Sequence, residues 1–89
     1  MKTMVKIDGK KYWYDLRRVH YVSDVQTGLF IIIKHPETHE LCRAEIVHRY
    51  GNGIDVRDAS DDIAPFRWFI PSRSLFNKVF LIVKQYKGR

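Results

Sequence analysis

Cysteine is nearly absent from this chain. Cys42 is the only one, so an internal disulfide is impossible and a disulfide-stapled secreted scaffold is excluded. Proline and glycine are also scarce, at three and five residues, and they fall between apolar segments instead of gathering in a linker. The longest apolar runs, 29–33 and 79–83, are far short of the roughly 20 residues that span a membrane as a helix. The opening MKTMVKIDGKK has no apolar stretch of signal-peptide length, so a cytoplasmic, membrane-free protein is the expectation. No repeat or low-complexity tract is present. Gly51-Asn52-Gly53 is followed by neither a lysine nor a helix start, which excludes a phosphate-cradling glycine loop. Acidic residues are outnumbered, 10 against 16 basic ones, and the net charge is +6.

What is present fits one small domain covering residues 1–89. A chain of this size buries about 60–65% of its unfolded surface and folds with little stability to spare. Its hydrophobic fraction, 45%, is ordinary for a globular domain and argues against disorder.

Four apolar segments bounded by turn residues dominate the pattern: 12–22, 29–35, 41–50 and 66–70. They are rich in aromatic and β-branched side chains, which suit strands. Residues 4–7 form a short first strand, and Asp8-Gly9 turns it into 11–16 as a hairpin. Within that second strand Tyr12, Tyr14 and Leu16 share one face, and Trp13, Asp15 and Arg17 share the other. The apolar parity then shifts to Val19 and Tyr21, which predicts a bulge or a break near Arg17-Arg18, or a short helical turn there.

LFIIIKH, at 29–35, reads as a strand buried on both faces and therefore as the sheet centre. Pro36 to Glu40 is a turn. In 41–50, Cys42, Ala44, Ile46 and His48 alternate with Arg43, Glu45, Val47 and Arg49, giving a strand with a charged outer side. Gly51-Asn52-Gly53 closes a second hairpin into 54–57. Residues 59–65 read as an acidic loop and 66–70 as another strand.

The C-terminal segment carries two signals. Ser72 is a plausible helix cap, and Leu75, Phe76, Val79, Phe80, Val83 and Tyr86 recur at helical spacing. Against this, 79–83 is an unbroken β-favouring run. The helix agrees with both cap and spacing, so the expected fold is α+β: five or six antiparallel strands, in a twisted sheet or small open barrel, closed by a C-terminal helix. If the last segment is a strand, the fold becomes an all-β barrel. The expected core is Leu29, Ile31, Ile33, Ile46, Val56, Phe66, Trp68, Phe76, Val79, Phe80 and Val83.

No catalytic, metal or cofactor signature stands out. His35, His39 and Glu40 lie in a turn interrupted by Pro36 and have no third ligand at a meaningful spacing, so neither metal nor cofactor is implied. His20, Glu45 and His48 are available as acid–base groups for a small ribonuclease, with arginines to stabilise phosphate. Cys42 lies on the apolar face of its strand and reads as a small buried hydrophobe.

Basic residues interleaved with aromatics are the main functional signal. Aromatic platforms beside cations bind single-stranded nucleic acid, with rings for bases and charges for phosphates. The expected contacts are Lys11, Trp13, Arg17, Arg18, Arg43, Arg49, Arg57 and Arg67. The leading expectation is therefore a small basic binding module for single-stranded RNA or DNA without catalysis. The alternative is a protein-interaction module or inhibitor docking on an acidic partner surface, with homodimerisation through exposed strand edges. A small ribonuclease comes third. One contiguous positive stripe favours nucleic acid, and an aromatic patch ringed by mixed charge favours a protein.

Overall fold

The computed structural model describes residues 2–7, 9–59 and 67–86. A seven-stranded sheet dominates it, with every neighbouring pair antiparallel. The strands are β1 (Lys2–Ile7), β2 (Lys10–Arg18), β3 (Phe30–Lys34), β4 (Leu41–Tyr50), β5 (Gly53–Asp58), β6 (Arg67–Pro71) and β7 (Val79–Tyr86). Their order across the sheet is β1-β2-β7-β3-β4-β5-β6. β3 is thus the central strand, as its FIIIK run requires: Ile31, Ile32 and Ile33 are all fully buried, one after another, so both faces must be covered.

Both hairpins form where turn chemistry places them. Ile7 pairs with Lys10 around Gly9, whose positive φ of 79° suits the turn; Asp8 lies outside the described residues. Tyr50 pairs with Gly53 around Gly51-Asn52. Gly53 has a further role. A Cβ there would collide with the Ile70 carbonyl oxygen and the Phe69 ring, so only glycine lets β6 close on β5 at this point.

The C-terminus departs from the expected long helix. A 3-10 turn at Ser72–Ser74 leads into a helix of four residues, α1 (Leu75–Lys78), and the chain then becomes β7. The β-branched run decided the outcome. β7 lies between β2 and β3 and supplies hydrogen-bond partners to both, which a helix could not do. The fold is therefore a small antiparallel-sheet domain with a single short helix among its described residues.

Two apolar clusters lie on opposite faces of the sheet. Ile31, Ile33, Val79, Leu81, Ala44, Ile46, Ile54, Val56 and Ile70 build the larger one, closed by Val19, Val25 and Leu75. Ile32 faces the other way, with Val5, Ile7, Tyr14 and Leu16. This second cluster is closed because the sheet curls until β1 meets β4. Each fully buried isoleucine contributes about 1.5–3 kcal/mol by leaving water.

Trp68 packs against the larger cluster and Phe80 against the smaller, as core residues should. Leu29, Phe76 and Val83, also expected in the core, are exposed instead. Val83 is displaced by a bulge: Asp15 pairs with Lys84 but Leu16 with Ile82, leaving Val83 without a partner. β2 ends at Arg18, the break expected near Arg17-Arg18, whereas the bulge lies earlier, opposite Asp15 and Leu16. Phe66 and most of the acidic loop lie outside the described residues. No helix among the described residues is long and apolar enough to cross a membrane.

Candidate nucleic-acid interface

Alternation along β1 and β2 separates buried from exposed side chains. Val5, Ile7, Tyr14 and Leu16 point into the smaller core. The opposite face carries Lys2, Met4 and Lys6 from β1 and Lys11, Trp13, Asp15 and Arg17 from β2. Cross-strand register sets Lys6 beside Lys11, Met4 beside Trp13 and Lys2 beside Asp15. β7 extends the same surface by pairing Tyr86 with Trp13 and Lys84 with Asp15.

Cations and rings meet closely on this face. The Lys2 ammonium is 5.5 Å from the Trp13 ring centroid and 4.8 Å from that of Tyr86. The Lys84 ammonium also lies 4.9 Å from the Tyr86 ring centroid. Trp13 is 40% exposed, so its ring is available to solvent. Arg17, further along, is held 3.5 Å from Asp24. The Asp24 carboxylate also accepts the backbone N–H groups of Tyr21 and His20, each at 3.0 Å. Those bonds, with Arg17, hold its pKa below the ordinary 3.8.

Of the remaining expected contacts, Arg18, Arg43, Arg57 and Arg67 lie on the opposite face of the sheet, that of the smaller core. Arg18 points to the side opposite Arg17 and stands 5.9 Å from the Phe80 ring. Arg43 lies 5.8 Å from the Phe30 ring, on the concave side near the smaller core. Arg49 does not share its face. A bulge between Ile46 and His48 puts Arg49 beside buried Ile54, whereas Arg43 lies beside Ile32. Arg49 thereby leaves the charged outer side expected for 41–50. Arg57 donates to Glu45 Oε1 from Nε at 2.9 Å, with a second guanidinium nitrogen at 2.8 Å, so its charge is partnered. Arg67 stands beside Arg57 on β6.

Near these arginines the β4–β6 surface carries an aromatic group. The His48 and Tyr50 rings lie 4.4 Å apart, and Tyr50 and Phe69 lie 6.2 Å apart. The Tyr50 hydroxyl donates to Asp55 at 3.2 Å, which raises its pKa above the ordinary 10.0. Of the ribonuclease candidates, Glu45 is engaged by Arg57, His48 packs at a tilt against Tyr50, and His20 follows the end of β2.

His35 organises the β3–β4 turn. Its Nδ1 accepts the backbone N–H groups of Glu37 and Thr38 at 3.1 and 3.3 Å. Among the described residues, no group of three His, Cys, Asp or Glu is placed to hold a metal. Cys42 packs half-buried against the larger core, and burial, aided by Asp58, pushes its thiol up to about 12.

Lys2, Lys6, Lys84 and Tyr86 were not among the expected contacts. The alternation of Lys2, Met4 and Lys6 with Val5 and Ile7 was readable in the sequence. Lys84 and Tyr86 were hidden by the helical reading of 72–86. No protein family, curated protein or solved structure matches this chain.

Proposed function

We propose that the protein binds single-stranded nucleic acid, without catalysis, on the face formed by β1, β2 and β7. The observation that carries this reading is the pair Trp13 and Tyr86, adjacent across strands and attended by Lys2 and Lys84. A base stacked on an exposed ring is worth about 1–3 kcal/mol and is tolerant of sequence. The lysines around the rings neutralise phosphates and release counterions. Lys6 and Lys11 lengthen the cationic track along β1 and β2.

The test is fluorescence anisotropy with a labelled single-stranded oligouridine and a duplex of equal length, across a salt series. Three or four phosphate contacts give a log–log slope of about −2 to −3 on the single strand. Single-strand preference reports stacking. Absence of binding at low salt overturns the reading, and shortening of the labelled RNA turns it into a nuclease.

A second reading has its own observation. Tyr50 and Phe69 are exposed beside Glu45, Asp55, Arg57 and Arg67, with Phe69 and Arg67 on the edge strand β6. Aromatics ringed by mixed charge suit a protein partner. That surface is separate from the β1–β2–β7 face, so sedimentation of the free protein and of Phe69→Ser tests it independently.

A further inference from the structure

On the concave side of the sheet, Tyr14, Phe30, Arg43, Ala59, Ile82 and Gln85 line a cavity of about 300 Å³. Its walls are mixed in character. Phe30, Ile82 and Ala59 supply apolar surface, while Tyr14, Arg43 and Gln85 bring polar groups from three strands. That composition, at this volume, is what small-molecule sites have in common.

Two buried polar atoms in this lining lack hydrogen-bond partners among the described residues: the Tyr14 hydroxyl and Arg43 Nε. Tyr14 is only 1% exposed, so water at the surface does not serve it. Leaving such a group unsatisfied is costly, and a natural core would place phenylalanine there instead. The rest of the Arg43 guanidinium is weakly engaged. One terminal nitrogen donates to the Ala59 carbonyl at 3.4 Å, and the Phe30 ring stands 5.8 Å away. Two unused donors, one of them on a cation, thus belong to side chains that line the same cavity beside apolar walls.

We infer that this cavity binds a small organic oxyanion, with the anionic oxygens between Tyr14 Oη and Arg43 Nε and the apolar body against Phe30 and Ile82. An oxyanion accepts from both orphan donors and matches the arginine charge. Gln85 is the group that reads the remainder of the ligand. This site is distinct from the proposed nucleic-acid face, because Trp13 and Tyr14 project from opposite sides of β2.

The experiment is an NMR titration of the full chain with benzoate, benzamide and phenyl phosphate. The readouts are the Arg43 Nε–H and Gln85 side-chain amide signals. Benzoate should shift both saturably, with a dissociation constant of about 1–10 mM for so small a probe. Benzamide, of equal shape but uncharged, should bind about tenfold more weakly. The ratio of phenyl phosphate to benzoate affinity then assigns the headgroup as phosphate or carboxylate. Tyr14→Phe should fold normally and weaken benzoate by about three- to tenfold, and Arg43→Gln by about tenfold or more. Trp13→Ala should leave benzoate binding unchanged, which separates this site from the nucleic-acid reading. Equal shifts from benzoate and benzamide overturn the inference, as does the absence of any saturable shift in the wild-type protein.

Discussion

Trp13 and Tyr14 are consecutive in β2, yet one ring is 40% exposed and the other 1%. The pleat sends them to opposite faces. Their substitutions should therefore separate binding from stability. Trp13→Ala should lower affinity for single-stranded RNA about tenfold and move the denaturation midpoint little. Tyr14→Ala should cost about 3–5 kcal/mol by hollowing the smaller core. Urea denaturation with parallel anisotropy measurements checks both.

Gly53 and Gly51 flank the same turn but differ in their surroundings. Nothing lies within 4 Å of a Cβ added at Gly51, whereas one at Gly53 meets backbone and ring. Gly53→Ala should destabilise by about 1–3 kcal/mol, and Gly51→Ala should have a much smaller effect. The comparison is made by thermal and chemical unfolding of the two variants.

Asp24 fastens the segment after β2 to Arg17. Its folded pKa lies below the ordinary 3.8, so it binds a proton less readily folded than unfolded. The resulting stability is present above the unfolded pKa and is lost as pH falls through the folded value. Asp24→Asn should flatten the stability profile below about pH 5, where the wild type declines. Denaturant midpoints at a series of acidic pH values measure this directly.

Cys42 should be a slow nucleophile. With the thiol pushed up to about 12, almost no thiolate exists near neutrality. Reaction with a disulfide reagent at pH 8 should be slow in the native protein and rapid in denaturant. Fast native labelling would mean that β4 opens locally.

Much of the sheet was legible because local chemistry and long-range packing agree. Three consecutive isoleucines demanded a strand covered on both sides, and β3 is the central strand. Asp8-Gly9 and Gly51-Asn52 announced their hairpins. The C-terminal segment was ambiguous because its apolar residues satisfy two periods at once, and the partners that settled it, β2 and β3, are distant in sequence. The site was only partly readable for a related reason. Trp13 declared itself by sharing a face with Asp15 and Arg17. Simple alternation gives Arg43 and Arg49 a common face, but the bulge after Ile46 turns Arg49 to the other side. A bulge of this kind leaves no reliable mark in sequence. Tyr86 joined Trp13 only through the β2–β7 pairing.

The central claim is that one face, and not net charge, binds nucleic acid. The most direct measurement compares two double charge reversals that change net charge equally: Lys11→Glu with Lys84→Glu on the β1–β2–β7 face, and Arg57→Glu with Arg67→Glu on the β5–β6 surface. Affinity for a single-stranded oligouridine is read by anisotropy at fixed salt. The first pair should reduce affinity about a hundredfold and flatten the salt slope by about one or more, while the second changes affinity far less. Equal losses from the two pairs would show that charge alone drives binding and would contradict the assignment of the face.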